Sequence, residues 1–296
     1  VAFLFSELYL PIPDIDLYLK RIEYQGIPQG TLSVAPPIRR QGNIHLDRAP
    51  TLDNLKALMH QHLTHIPYGN LDFYPEPKCP SLAIPDIFDK IIVRHGCGGC
   101  FEMNLLFFGL LKSLGYTFYP VIVKCLFGST DPVVPTHCAA IVTIDGARYY
   151  ADVGLGNSSP VVPVALDDEQ HWQPAAISPN YYAYKPHREG HVIVFEGNKA
   201  DDRMTMVSFV PAPVELVDFI PLNYYGAITD TSPVRRGIIV TIFTEDGTAQ
   251  IVDDVLTMTS GKRKEKRKLK TADEFNRALW EIFGIRYEID PALLKK

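Results

Sequence analysis

The strongest constraint on this chain is a glycine-rich turn that runs directly into an apolar helix. The stretch reads Arg94-His95-Gly96-Cys97-Gly98-Gly99-Cys100-Phe101-Glu102-Met103-Asn104, followed by Leu105-Leu106-Phe107-Phe108-Gly109-Leu110-Leu111. A helix that is apolar on nearly every side belongs at the centre of a fold, with other elements packed around it. Gly115, shortly after Lys112, predicts where it stops. The paired glycines permit a tight backbone turn that residues with a Cβ resist. A helix opening there points unpaired N–H groups and the positive end of its dipole at Cys100. Helix N-termini are one of the settings in which cysteine thiols become reactive. On this fragment alone, an activated nucleophile and an ordinary buried cysteine beside a helix cap fit equally well.

Helices dominate the N-terminal third. Asp16-Leu17-Tyr18-Leu19-Lys20-Arg21-Ile22 has helical apolar spacing, and Thr51 is the N-cap candidate for a second helix that should end before Pro67. Strand signals follow: Val121, Val123 and Cys125 alternate, and His137–Ile144 runs into Asp145-Gly146 and then Ala147–Val153. Residues 157–187 contain Pro160, Pro163, Pro174, Pro179 and Pro186 and read as a long loop or insertion. Further β-rich runs are His191–Phe195, Met204–Val210 and Ile238–Phe243. Thr271-x-x-Glu274 is a capping box for a last helix carrying Phe275, Leu279 and Phe283, with Gly284 after it.

Composition excludes several classes. A net charge of −5 gives no global basic field for nucleic acid. No apolar run reaches the roughly 18 residues of a membrane-spanning helix. The apolar opening Val1–Ser6 lacks a basic leader and reads as no signal peptide. Five cysteines, an odd number in a chain of this size, suit a reducing compartment, hence the cytoplasm. Cys97-x-x-Cys100 lacks a second pair with zinc spacing, so no metal is expected. His60, His62 and His65 are read as solvated helix histidines, and the run Lys262–Lys268 as a solvated loop or strand.

The hairpin allows a geometric test. If Asp145-Gly146 is a two-residue turn, Ile144 faces Ala147, Ala139 faces Asp152 and His137 faces Gly154. Period-two alternation then puts His137, Ala139, Asp152 and Gly154 on one sheet face. His137 and Asp152 become diagonal neighbours, roughly 7–8 Å apart at the backbone. Small neighbours leave room for imidazole and carboxylate to meet, as when a carboxylate orients a catalytic base. The geometry does not itself bring Cys100 to His137.

At these residues the chain resembles the arylamine N-acetyltransferases. Their nucleophile motif, Arg-Gly-Gly-x-Cys-x-Glu-x-Asn, is similar to Gly96–Asn104, and their Asp-Val-Gly-Phe-Gly to Asp152-Val153-Gly154-Leu155-Gly156. Their Ile-Pro-Phe-Glu-Asn-Leu resembles Ile66-Pro67-Tyr68-Gly69-Asn70-Leu71, and Thr51-Leu52 and Phe283-Gly284-Ile285 also match. The similarity covers nearly the whole chain in order. Departures occur where Cys97 replaces a glycine, Gly96 an arginine (with Arg94 two residues earlier), and Tyr68 and Leu155 replace phenylalanines of the acceptor pocket. The 157–187 segment resembles an insertion of eukaryotic members and suggests such a source, a fungus for example.

The resemblance implies an α+β fold with a cysteine-protease-like Cys-His-Asp core. Its parts would be a helical bundle (1–93), a β-barrel-like domain (94–210) with its insertion at about 157–187, and an interdomain segment with an α/β lid (211–296). It implies transfer of an acetyl or other short acyl group from acyl-coenzyme A, through a Cys100 thioester, to an arylamine, arylhydrazine or N-hydroxyarylamine. His137 would be the base, Asp152 its orienting group, and Tyr68 and Leu155 the acceptor contacts. Val133, Val134, Tyr225 and Ser232 would contact the coenzyme, with no metal, nucleic acid or membrane partner, in a monomer or weak oligomer. Arg235 and Arg236 are placed in sequence for a phosphate or a malonyl carboxylate, against the simpler reading of a surface pair. Competing readings are a transglutaminase or papain-like hydrolase acting on peptides, and a zinc module built on Cys97, Cys100, His137 and Cys138.

Overall fold

The computed structural model describes residues 5–24, 48–173, 181–199 and 202–290. Residues 1–4 of the apolar opening, and Pro174 and Pro179 of the expected insertion, lie outside the described residues. Helices α1 (Ile15–Arg21) and α2 (Leu52–His65) precede a short strand β1 (Tyr68–Gly69), a short helix α3 (Ile84–Phe88) with a π turn over Asp89–Val93, and α4 (Cys100–Ser113). Strands β2 (Thr117–Cys125), β3 (His137–Ile144), β4 (Ala147–Ala151) and β5 (Val164–Ala165) follow, then β6 (Ala183–Glu189), β7 (Val192–Lys199) and β8 (Asp202–Phe209). Helix α5 (Phe219–Ile228) leads to β9 (Ile239–Phe243), β10 (Gly247–Val252), β11 (Val255–Ser260), β12 (Arg263–Lys268) and the final α6 (Ala272–Phe283).

Local chemistry explains the helix ends. Asp14 and Thr51 cap α1 and α2 by accepting the N–H groups of Leu17 and Asn54. Thr271 accepts Glu274 N–H at 3.2 Å, and Gly284 closes α6 at φ +65°. Helix α4 is buried from Phe101 through Leu111, as its apolar sequence requires. It packs with α1, α2, α3 and one face of β3 in the largest core. The other face of β3, through Ala139 and Ile141, joins Val121, Tyr150 and Phe195 in a second core. A third core seats α6 on β9, β10 and β11.

Two antiparallel sheets carry these cores, in the orders β5-β4-β3-β2-β8-β7-β6 and β1-β9-β10-β11-β12. Gln173 ties the two edges of the larger sheet together. Its amide side chain bonds the Ala165 N–H and C=O of β5, while its backbone N–H donates to Tyr184 O of β6 at 2.7 Å. The sheet is thereby nearly closed into a barrel. The 157–187 segment is therefore not simply a long loop: within its described residues it holds β5, the Gln173 bridge and the start of β6. Pro186 obscured that strand, and it is tolerated because β6 is an edge strand. The basic run forms β12, a fully exposed edge strand whose charges discourage further pairing.

The hairpin forms through Asp145 (φ +51°) and Gly146 (φ +80°), with the register running from Ile144↔Ala147 to Ala140↔Ala151. The expected pairs Ala139↔Asp152 and His137↔Gly154 are not part of the ladder. Past Ala151 the backbone N–H groups are taken by side chains, Val153 by Asn104 and Gly154 by Asp152, so the chain leaves the sheet there.

His62 is also a correction, because it is wholly buried, while His60 and His65 are half-buried. It lies on the same α2 face as Leu55, Leu58, Met59 and Leu63. Its Nδ1 pairs with the Tyr18 hydroxyl at 2.6 Å. Burial first, then the charges of Arg21 and His65, lower its pKa to about 3. The unfolded chain therefore takes up this proton first as pH falls below the ordinary histidine value. Stability should drop by roughly 2–3 kcal/mol between pH 7 and pH 4.5 from this group. Urea denaturation at the two pH values checks this, with His62→Gln flattening the difference.

Candidate active site

Cys100 opens α4 directly after the Gly98-Gly99 turn, where Gly98 packs closely against Ile91. Gly99 is the N-cap of α4, and its N–H donates to Glu102 Oε2 at 3.0 Å. Glu102 is buried; its other oxygen accepts Lys90 Nζ at 2.8 Å, and Lys90 also pairs with Asp72. Burial would depress the Lys90 ammonium, but the charges of Glu102 and Asp72 override it and hold it above the ordinary lysine value. A Cβ on Gly98 would lie 2.7 Å from Ile91 Cδ1 and 3.2 Å from Glu102 Cβ. The cation supporting the nucleophile turn is thus Lys90, whereas Arg94 pairs with Asp89 at the surface.

The departures at positions 69 and 97 compensate for one another. A Cβ on Gly69 would meet Cys97 Sγ at 2.8 Å. The cysteine that replaces a motif glycine fills the room that the motif's glutamate side chain would leave from. Cys97 is buried, and burial pushes its thiol up to about 12, so it stays protonated at neutral pH.

His137 begins β3 and Asp152 follows β4, and their side chains meet at 2.7 Å between Nε2 and Oδ2. Asp152 has no exposure. Oδ2 also accepts the Tyr150 hydroxyl at 2.8 Å, and Oδ1 accepts Asn104 Nδ2 at 3.0 Å and Gly154 N–H at 2.9 Å. Burial pushes the Asp152 carboxyl up, but the His137 charge and these donors override it and hold it below its usual range. Burial pushes His137 down, yet the Asp152 charge and hydrogen bond, with the neighbouring Cys125 and Cys100 thiols, leave it well above its usual value. An ionised Asp152 only accepts, so Nε2 carries its proton and Nδ1 is the nitrogen left for the thiol. Cys100 Sγ lies 3.5 Å from Thr136 O.

Asn104 and Tyr150 were not singled out by sequence reasoning. Asn104 sits one helical turn after Cys100, on the same face, which is the signal that could have found it. It also donates to Cys138 O at 2.7 Å and accepts Val153 N–H at 3.0 Å.

Cys100 and His137 open into a cleft of about 230 Å³ that Tyr68, Leu155, Ser232 and Thr241 also line. Helix α5, which sequence reasoning missed, contributes Asn223 and Ala227 to its wall. Val133, Val134 and Tyr225 do not line it; Val134 is exposed, and the Tyr225 hydroxyl pairs with Thr231. Arg235 is neither a surface residue nor open to a ligand's anion. Its guanidinium is buried and donates to Phe73 O at 2.8 Å and Pro75 O at 2.9 Å, while Arg236 is exposed. Among the described residues no group of three or more His, Cys, Asp or Glu converges to hold a metal ion. A thiol beside an imidazole oriented by a buried carboxylate can attack a carbonyl carbon and carry the acyl group as a thioester.

Gly154 is the tightest point of this arrangement. A Cβ there would lie 2.5 Å from Asn104 Nδ2 and 2.6 Å from the backbone oxygen of Cys100. Gly154→Ala should destabilise the fold by about 1–3 kcal/mol and displace Asn104 from Asp152. Urea denaturation and the alkylation rate of Cys100, resolved by peptide mass spectrometry, should both change.

The sequence model of the N-acetyltransferase family matches residues 51–292. An arylamine N-acetyltransferase of Mycobacterium tuberculosis (strain ATCC 25618 / H37Rv) is 26% identical over 92% of this chain and 89% of its own length. The N-malonyltransferase FDB2 of Fusarium pseudograminearum is 23% identical over 90% of this chain and 87% of its own. In fold, the Mycobacterium marinum arylamine N-acetyltransferase solved in complex with CoA superposes with a TM-score of 0.77 at 23% identity, over 95% of this chain and 97% of that one. With the family model spanning most of its length, this chain belongs to the arylamine N-acetyltransferase family.

Proposed function

We propose that this chain transfers an acetyl or other short acyl group from acyl-coenzyme A to the nitrogen of an arylamine, arylhydrazine or N-hydroxyarylamine, by way of Cys100. The observation that carries the proposal is the Asp152–His137 pair lining one cleft with Cys100. Family membership supports acyl transfer over the peptide-directed hydrolase and transglutaminase readings.

In the first half-reaction the thiol proton rests on His137 Nδ1, where Asp152 balances the ring's charge, and the Cys100 sulfur attacks the thioester carbonyl carbon. Backbone N–H groups at the opening of α4 supply donors for the oxyanion. Collapse breaks the bond to the coenzyme sulfur, which leaves with the proton from His137. In the second, the amine nitrogen attacks the Cys100 thioester, His137 accepts the amine proton, and the Cys100 sulfur is the leaving group. Asp152 holds the ring in place and balances its positive charge in both halves. Tyr68 and Leu155 form acceptor walls, and Ser232 with α5 bounds the coenzyme side.

Among the described residues no Lys or Arg lines the cleft. This supports neutral acyl groups, acetyl or propionyl, over malonyl. Among the described residues no helix is long and apolar enough to cross a membrane. Five free cysteines support work in the reducing cytoplasm, and a cleft complete within one chain supports a monomer or weak oligomer.

Incubation with acetyl-coenzyme A and no amine should add one acyl group to Cys100 by intact-mass spectrometry. Adding an aromatic amine should discharge it, and Cys100→Ser should neither acylate nor turn over. Turnover by Cys100→Ser, or turnover without an adduct in rapid-quench samples, rejects the mechanism. In the same assay acetyl- and propionyl-coenzyme A should acylate faster than malonyl-coenzyme A.

A further inference from the structure

The cleft wall formed by β1 and β9 carries two hydroxyls that the protein leaves without hydrogen bonds. Tyr68 is the register partner of Thr241, so their side chains share one face of the sheet. Both line the cleft with Cys100. Thr241 is 5% exposed and its Oγ1 has no hydrogen-bond partner. Among the described residues the Tyr68 hydroxyl has none either. A buried hydroxyl such as that of Thr241 costs free energy until something completes it, and the half-buried Tyr68 hydroxyl beside it is free to bond a ligand in the cleft.

Gly156 keeps this corner open. It stands at φ +59°, and a Cβ there would lie 3.2 Å from Thr241 Oγ1 and 3.5 Å from Tyr68 Cδ1. The charge of the surroundings limits what can bind. No Lys or Arg lines the cleft among the described residues, and the lining carboxylate of Glu102 is already paired with Lys90. A carboxylate on a ligand would meet no Lys or Arg here, and the charge of His137 is already paired with Asp152. A neutral hydroxyl, able to donate to one side chain and accept from the other, matches both.

We propose that Tyr68 and Thr241 form a polar subsite that selects acceptor arylamines bearing a neutral hydrogen-bonding ring substituent, a hydroxyl above all, over those bearing a hydrocarbon or carboxylate substituent. The proposal rests on the acyl-transfer reading, because the acceptor enters the cleft once Cys100 carries the acyl group. An acetyl group on Cys100 offers only its thioester carbonyl as a polar atom, and that oxygen is committed to the oxyanion donors. The hydroxyl pair is therefore left to the acceptor. A site built to hydrogen-bond a substrate hydroxyl rejects the analogue that lacks it, because its own polar groups then stay unpaired.

The test compares kcat/KM for the three aminophenol isomers with the matching toluidines and aminobenzoates, using acetyl-coenzyme A as donor. The wild type should favour the best aminophenol over its toluidine by roughly tenfold, and over its aminobenzoate by more. Tyr68→Phe and Thr241→Val should each bring the aminophenol-to-toluidine ratio toward one, while Thr241→Ser retains it. The ratio cancels any general loss of activity in a variant. A wild-type ratio near one, or a ratio unchanged in both hydroxyl-deleting variants, overturns the proposal. So does a change in the acetyl-to-malonyl donor preference with no change in the acceptor ratio, which would assign the pair to the acyl group. Absence of any acyl adduct on wild-type Cys100 would reject the acyl-transfer reading itself; an adduct with a flat acceptor ratio rejects only the subsite.

Discussion

The structure depends on one fully buried carboxylate. Asp152 would cost several kcal/mol to bury as a lone ion. Donors from His137, Tyr150, Asn104 and the Gly154 backbone offset that cost and fix the direction of each oxygen. These donors come from different layers. Asn104 lies on the central helix four residues after Cys100, about 6 Å along its axis. The element that positions the nucleophile therefore also clamps the group that orients the base, and the distance between them is set by helix geometry. A buried ion pair of this kind adds little net stability, and its value lies in the single arrangement it enforces.

The segment 66–71 does the corresponding work for the other side of the cleft. Gly69 N–H donates to Gly98 O at 2.9 Å, joining β1 to the turn that presents Cys100. The Asn70 side chain donates to Val234 O at 2.8 Å and Gly237 O at 2.7 Å and accepts Ile239 N–H at 2.8 Å. A short motif in the helical third thus fastens the C-terminal sheet beside the reactive sulfur. The cleft wall holding Tyr68 and Thr241 exists because of that attachment.

Sequence alone was informative where one local rule decided the outcome. The all-round apolarity of Leu105–Leu111 predicted a central helix, and Asp145-Gly146 predicted the turn, while His137 meets Asp152 although the ladder that was to align them stops at Ala140↔Ala151. It failed where tertiary partners decide. The polarity of His62 suggested solvent, although it lies on the same face of α2 as Leu55 and Met59, and Tyr18 supplies the partner that lets it be buried. Arg235 read as a surface cation because the carbonyls of Phe73 and Pro75 that hold it are 160 residues or more away in the chain. Strand β1 is too short to show any period, and β6 was hidden by Pro186. The hairpin register extrapolated past Ala151 because competition from the side chains of Asn104 and Asp152 for backbone N–H groups is invisible in a strand pattern.

The central claim is that Asp152 holds His137 charged and oriented toward Cys100. The most direct measurement is an NMR pH titration of the His137 ring nitrogens in the intact protein. The account predicts that His137 keeps its second proton well above the ordinary histidine range, and that Asp152→Asn brings the titration down. A wild-type His137 titrating at the ordinary value, or one indifferent to Asp152→Asn, would contradict it.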